Sequence, residues 1–437
     1  MKKRKLVMVL ACLLGMQGGL SVAYAAKPAA KPEKNTANKA AAKDKAPVAV
    51  QEITLVSRLP SEKNQALQQV IDAFHTQQAA VRIKLLSQTT TGSVPEMWLL
   101  GDEEEAQFLK NPAQHKALQD VMSAARLPLG KGGLPAVVSP ADIDGKGKLE
   151  ALPVAFATPV VFYNKALLQK AGLGTQLPPT WDDLQKVLDK LQDNGVACPY
   201  ASVKTGWVHV ENTTAWHNEP VEALRGQLSV NNLLQVRHLA RMASWYRARY
   251  LHVFDSAADA QSKFVSGECA VMTGPSDMLS GVDTKHMDIG VSQLPYWHEH
   301  LGAPQNTLAD GASLWVAAGK APAAYQAVAQ FVQYWLTPAA QQSWSKASGY
   351  LPLNSAGYPV TDAKAGKGLP DNLRVALESL SHKPATSASR ASAKAHQFSF
   401  RHSLEVNLHE LWNDKKAAKQ VLDEVVQWSN VRSPLGR

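Results

Sequence analysis

The sequence predicts an α/β protein of two lobes with a cleft between them. Two observations carry that expectation: a strand–helix–strand unit opens the apolar part of the chain, and the same alternation continues past the size of one α/β core. The composition agrees, with 437 residues of which 45% are hydrophobic and 19% charged. That is material for two or three domains, and it excludes a wholly disordered chain or a disulfide-stapled miniprotein.

Residues 1–25 combine a basic head (Lys2, Lys3, Arg4, Lys5), an apolar run from Leu6 through Leu14 to Val22, and Ala23-Tyr24-Ala25. This is a signal-peptide pattern with cleavage before Ala26, and its run is too short to make a good spanning helix. It predicts a mature protein exported across the cytoplasmic membrane. Residues 26–50 are mostly Ala, Lys and Pro, a composition with too little apolar surface to offset backbone ordering, so a disordered leader is expected.

Charge is localised in the same way. The formal +9 comes almost entirely from the basic head and from the six lysines of the leader against Glu33 and Asp44. About one net charge is left for the folded part, which excludes a broad phosphate-binding face and therefore nucleic acid.

Within the folded part, Ile53 to Val56 reads as a strand, 64–75 as a helix with Leu67, Val70, Ile71 and Phe74 on one stripe, and 81–85 as a second strand in a largely parallel sheet. Met97 to Leu100 follows as another strand. The runs 152–157 and 159–164 read as one extended crossing, with a helix over 165–171. Pro178-Pro179-Thr180 starts a helix in which Thr180 caps, Asp182 and Asp183 face the positive end, and Leu184, Val187, Leu188 and Leu191 form the buried stripe. Helices are expected over 231–250, 258–266, 323–336, 338–346, 404–412 and 416–429, and strands over 269–273, 288–291 and 311–316. Cys198 and Cys269 either bridge or stay as two buried thiols.

A series of segments then carries a resemblance. Thr158-Pro159-Val160-Val161-Phe162-Tyr163-Asn164-Lys165, Pro178 to Leu184, Cys198-Pro199-Tyr200-Ala201-Ser202, Gly206-Trp207 with Glu211-Asn212, Gly267 to Ala270, Ala303 to Asn306, Gly311 to Val316 and Gly349-Tyr350-Leu351-Pro352 resemble, in order and spacing, the extracellular solute-binding proteins of ABC importers. The likeness is to the maltose-binding-like group and, within it, to the glycerol-3-phosphate-binding branch. It implies the periplasmic binding protein fold of class II: lobe 1 from 51–155 plus 310–355, lobe 2 from 156–309 plus 356–437, and hinge crossings near 153–159, near 306–314 and after Pro352. It further implies a monomer, in the periplasm of a Gram-negative bacterium, that closes on a small-molecule solute and presents it to an inner-membrane ABC permease, with no covalent step and no cofactor.

The resemblance also places ligand contacts. Trp207 matches a cleft tryptophan able to stack on a polyol face, the alternative being a core indole. Tyr350 offers a hydroxyl to a phosphate or sugar. Gly311 stands where backbone approaches ligand, or where a bulge needs a glycine. Ser276 lies in a hydroxyl-rich loop, here altered by Pro275 and Asp277. Arg401, ahead of Arg390 and Lys394, is assigned to a phosphate through its planar fork. Departures gather in the first lobe and near Trp207. Leu99 aligns with an acidic ligand residue, the 86–95 segment is short, Ala157 replaces a serine and Lys204 a tryptophan. They motivate a second reading, a solute-binding fold recruited as a periplasmic sensor or scaffold.

Asp102-Glu103-Glu104-Glu105 reads as a helix-terminus charge rather than a metal site. His209, Glu211, His217 and Glu219 lack tetrahedral ligand spacing, and His298-Glu299-His300 forms a second loose group that nothing in the sequence brings beside the first and that a polar loop explains as well. A hydrolase is disfavoured because Ser343 and Ser348 lie outside any Gly-x-Ser-x-Gly turn.

Overall fold

The computed structural model describes residues 50–89, 93–101, 108, 111–127, 129, 148–221, 227–254, 256–353, 370–384, 386–388 and 398–432. The signal peptide, the leader up to residue 49, the 102–105 acidic run, Arg390 and Lys394 lie outside the described residues.

The described strands are β1 (Gln51–Ser57), β2 (Val81–Leu86), β3 (Met97–Gly101), β4 (Leu152–Ala157), β5 (Pro159–Asn164), β6 (Cys198–Ser202), β7 (Leu251–Val253), β8 (Cys269–Pro275), β9 (Ile289–Ser292) and β10 (Asp310–Val316). They form two five-stranded sheets, β2-β1-β3-β10-β4 and β7-β6-β8-β5-β9. Each sheet has a parallel trio, and in each only one strand is reversed: β10 against β3 and β4, and β5 against β8 and β9. The reversal has a simple cause. Only Thr158 separates β4 from β5, so β5 starts where β4 stops and must run away from the junction. β10 does the same after the chain returns at residues 307–310. The other strands of both sheets therefore point their C-terminal ends toward the junction, the edge at which open α/β sheets bind ligands.

β4 and β5 are buried along their whole length, as continuous apolar runs are when both faces of a sheet are covered. One core surrounds the first sheet, with Leu67, Val70, Ile71, Phe331 and Trp335 among its members. The second sheet is packed on both faces, by Trp181, Leu184, Leu188 and Leu404 in one cluster and by Phe162, Phe264 and Leu373 in another. The helix Trp181–Asp193 starts as its cap chemistry predicts, with Thr180 Oγ1 accepting the Asp183 N–H at 3.2 Å and Leu184, Leu188 and Leu191 fully buried.

Several elements exceed or supplement the periodicity reading. The first helix spans Ser61–Gln77 and the later one Phe398–Trp412, while β6, β7 and the helix Asp371–Leu380 were too short or too mixed to give a period. Cys198 and Cys269 face each other in the β6–β8 register and are disulfide-bonded, which closes the alternative of two separate thiols. Among the described residues no helix is long and apolar enough to cross a membrane.

The junction itself is hydrogen-bonded rather than slack. The Thr158 hydroxyl donates to the Leu308 carbonyl at 2.9 Å and lies 2.8 Å from the Thr307 hydroxyl, and Leu351 N–H donates to the Phe156 carbonyl at 2.8 Å. The chain beyond Leu353 runs into residues 354–369, outside the described residues.

Candidate functional site

A cavity of about 410 Å³ opens where β6 and β7 end and β10 begins, walled on the far side by the helix Phe398–Trp412. That helix turns Arg401, Leu404, Glu405, His409 and Trp412 into it, a spacing that keeps side chains on one face. After β6 the chain turns through Lys204, held at φ 50°, and Gly206 into a π-helical turn, Trp207–Asn212. Such turns are rare and concentrate at functional sites. The helix Phe398–Trp412 approaches Gly206 closely: a Cβ there would lie 2.7 Å from Glu405 Oε1 and 2.9 Å from Leu404 Cδ2, so those side chains would have to shift.

The π-helical turn is held from three sides. At its start, the Glu405 carboxylate accepts the Gly206 N–H at 2.8 Å and the Thr205 hydroxyl at 3.3 Å. Burial pushes the Glu405 carboxyl above its ordinary range, and these donors partly oppose the rise. At its end, Asn212 Oδ1 accepts the Leu308 N–H at 2.7 Å, which ties the turn to the returning crossing. From behind, a chain of hydrogen bonds fixes His209. Trp297 Nε1 can only donate, so His238 Nδ1 accepts it at 3.2 Å, and His238 Nε2 then donates to His209 Nδ1 at 3.1 Å. His209 Nε2 in turn donates to Ser202 Oγ at 3.0 Å. Both rings are neutral in this arrangement, consistent with burial lowering His209 to about 3 and His238 well below its ordinary value.

Of the anticipated ligand contacts, Trp207 and Arg401 share the cavity. Trp207 is 4% exposed and its Nε1 has no hydrogen-bond partner among the described residues. The Nε1 atoms of Trp181, Trp315 and Trp335 are without one in the same way. Lys204 Nζ sits 5.6 Å from the centre of its ring. The Arg401 fork, assigned by resemblance to a phosphate, holds Glu211 instead: Nε and Nη2 donate to the two carboxylate oxygens at 2.8 Å each, and Nη1 donates to Asp310 Oδ1 at 3.0 Å. Burial pushes the Glu211 carboxyl up while Arg401 pulls it back.

The other three stand elsewhere around the junction. Gly311 occupies the β10–β4 pairing beside a register shift, where a Cβ would fall 1.8 Å from the Ala155 carbonyl oxygen; close backbone approach explains the glycine. Ser276 is fully buried and exchanges hydrogen bonds with the Thr158 backbone, its N–H donating at 3.0 Å and its Oγ accepting at 3.4 Å. Tyr350 stacks on Trp344 with centroids 5.8 Å apart and lies under Lys63 Nζ, which is paired at 3.0 Å with Asp277. Burial raises the Tyr350 hydroxyl pKa.

Three features escaped sequence reasoning. The Asp310 pairing, the Lys63–Asp277 bridge and the Glu405 clamp all join residues far apart in the chain, and no local pattern announces them. The two histidine groups, which nothing in the sequence brings together, meet in the fold: His300 Nε2 lies 3.1 Å from Glu219, and the His217 and His300 rings are 5.4 Å apart. Asp182, His298 and Glu299 place three potential ligand atoms within 4.8 Å, but Arg237 pairs with that glutamate at 3.0 Å, so a cation there would compete with a resident guanidinium.

The two α/β sheets converge by their strand ends on the cavity lined by Trp207, and the family the chain matches is one of solute-binding proteins. The chain belongs to the bacterial extracellular solute-binding proteins, whose family model matches residues 74–370. Among curated proteins it is similar to the sn-glycerol-3-phosphate-binding periplasmic protein UgpB of Yersinia pestis bv. Antiqua (strain Antiqua), 32% identical over 65% of this chain and 67% of that one. The UgpB of Escherichia coli O6:K15:H31 (strain 536 / UPEC) is 29% identical over 78% and 80%. Among solved structures, UgpB from Mycobacterium tuberculosis in complex with glycerophosphocholine superposes with a TM-score of 0.71 at 18% identity, over 88% of this chain and 98% of that one. The GacH receptor of Streptomyces glaucescens GLA.O gives 0.70 at 16%, over 87% and 98%.

Proposed function

We propose that this protein is a periplasmic receptor that captures a small polar solute (a sugar, a polyol phosphate or a phosphodiester) by lobe closure and delivers it to an inner-membrane ABC permease. The observation that carries the reading is the 410 Å³ cavity at the strand ends, lined by Trp207, Lys204 and Arg401. The Trp207 ring, which lines that cavity, offers apolar area to a solute's C–H surface. The names of the relatives support the same class. A solute touching both lobes binds the closed form better than the open form, which is what a ligand must do to drive closure. The signal-peptide pattern of residues 1–25 supports a periplasmic location.

The test is a thermal-shift and calorimetric panel of sugars, polyol phosphates and phosphodiesters on wild type and Trp207→Phe. At least one compound is expected to raise the melting temperature, and the variant, with less ring area against the solute, to weaken its affinity roughly 3- to 10-fold. No stabilisation by any compound, together with recovery of a membrane partner that is not a permease, would sink the receptor reading in favour of the sensor or scaffold.

A further inference from the structure

Asp277 and Tyr350, both marked in the sequence and neither in the cavity lined by Trp207, meet at one place through Lys63. We propose that Lys63 and Asp277 form a latch between the body built on the first sheet and the body built on the second, holding the two together on that side with no solute present. The inference goes beyond the receptor reading and does not depend on it, because the latch needs nothing bound.

Lys63 lies in the first turn of the helix Ser61–Gln77, whose Leu67, Val70 and Ile71 belong to the core around the first sheet. Asp277 comes two residues after the end of β8, beside Met278, which is buried in a core of the second sheet. Each partner is thus fixed to its own body, and their pair at 3.0 Å joins the two. It is no part of the crossings at Thr158 and at residues 307–310, so it adds a tie that the continuous chain does not supply.

The two side chains are 9% and 13% exposed, and the ammonium has further partners. It donates to the Ser348 carbonyl and stands 4.9 Å from the centre of the Tyr350 ring, which is itself stacked on Trp344. A buried pair that is also hydrogen-bonded and set against an aromatic face offsets its own desolvation, where a bare pair does not. Removing one member leaves the other buried and uncompensated, and opening the bodies then becomes the way to return it to water. The backbone is shaped for the contact. Gly349, at φ 78°, ends the helix Pro338–Ser348, and a Cβ there would run into Ser280 Cβ and lie 3.3 Å from Asp277 Cβ. The turn 277–280, closed by the Ser280 N–H on the Asp277 carbonyl at 2.9 Å, therefore packs directly on Gly349. A contact of this kind raises the population of the closed form before any solute arrives, and it reduces the closure energy a solute has to supply.

The test compares the mature protein, dialysed free of solute, as wild type, Lys63→Met, Asp277→Asn and the double variant. Small-angle X-ray scattering reads opening, and hydrogen exchange locates it. Both single variants are expected to have a larger radius of gyration than wild type. Their amides in 277–282 and 349–351 are expected to exchange together, roughly 10-fold faster or more, while the helix Ser61–Gln77 that carries Lys63 keeps its wild-type protection. The double variant is expected to open no further than the singles, since both changes break one contact. Asp277→Asn is nearly isosteric and lies outside any helix, which keeps the test open if Lys63→Met fails to fold. An unchanged radius in every variant that folds would overturn the latch. So would additive opening in the double variant, or faster exchange confined to the helix that carries Lys63. Each of these results leaves the receptor reading standing, because that reading is decided by solute binding.

Discussion

Replacing Arg401 by Met keeps most of the side-chain stem and removes the guanidinium, so the effect isolates charge. An exposed ion pair lost in this way would cost 0–1 kcal/mol, but the Glu211 side chain is only 2% exposed and both of its oxygens accept from Arg401. Without that partner a buried carboxylate is left uncompensated, a loss of about 3–5 kcal/mol if it stays ionised. Protonation provides an escape and sets a ceiling. Holding Glu211 neutral at pH 7 against an ordinary value of 4.5 costs about 3 kcal/mol, so the loss at pH 7 is expected at about 2–3 kcal/mol. The pH dependence follows. A carboxyl whose folded pKa is raised contributes stability that is fully present below its unfolded value and lost as pH rises through the folded value. The deficit of Arg401→Met is therefore largest near neutrality and shrinks toward pH 5. Urea unfolding followed by tryptophan fluorescence at pH 7, 6 and 5 measures it, and Glu211→Gln in the Arg401→Met background is expected to restore most of the loss at pH 7. A deficit below 1 kcal/mol at pH 7, or one independent of pH, would refute the reasoning.

Three further outcomes follow from other parts of the fold. Gly311→Ala sets a Cβ 1.8 Å from the Ala155 carbonyl oxygen, a backbone clash with no rotamer to relieve it, and calorimetry is expected to show a loss of at least about 2 kcal/mol; a neutral result would mean the strand pairing yields freely. Cys198→Ser opens a loop with a sequence separation of 71, for which chain entropy gives about 4 kcal/mol, and a reductant should reproduce the loss in wild type while leaving the variant unchanged. Burial lowers His217 to about 4, where its Nε2 accepts the Trp297 N–H at 2.9 Å. A lowered folded pKa gives stability that is present above the unfolded value near 6.5 and lost as pH falls through the folded one. Wild type should therefore lose a few kcal/mol more than His217→Gln between pH 7 and pH 4, and parallel profiles would show that protonating this ring is harmless.

Much of the framework was legible along the chain because its causes are local. The stripe Leu184, Val187, Leu188 and Leu191 behind a Thr180 cap needs only neighbours three and four residues away, and the helix Trp181–Asp193 begins at that cap. The apolar runs of β4 and β5 and the lone Thr158 between them already describe a crossing between sheets. Trp207 stands in a matching motif and lines the cavity, whereas Arg401, chosen among three basic residues without a motif around it, lines the cavity with its fork on Glu211 and Asp310. Short elements such as β7, at three residues, give no period to read.

The amino-acid order by itself determined where the capped helix Trp181–Asp193 starts, which of its residues are buried and which family pattern the chain follows. Tertiary structure alone decided what the charges do. Arg401 and Glu211 are 190 residues apart and Lys63 and Asp277 belong to segments on opposite sides of the junction, so only folding brings them within reach. Charge pairing depends on distance and burial, neither of which is a property of sequence spacing. The same holds for Gly311, whose need to lack a side chain comes from Ala155 on a neighbouring strand.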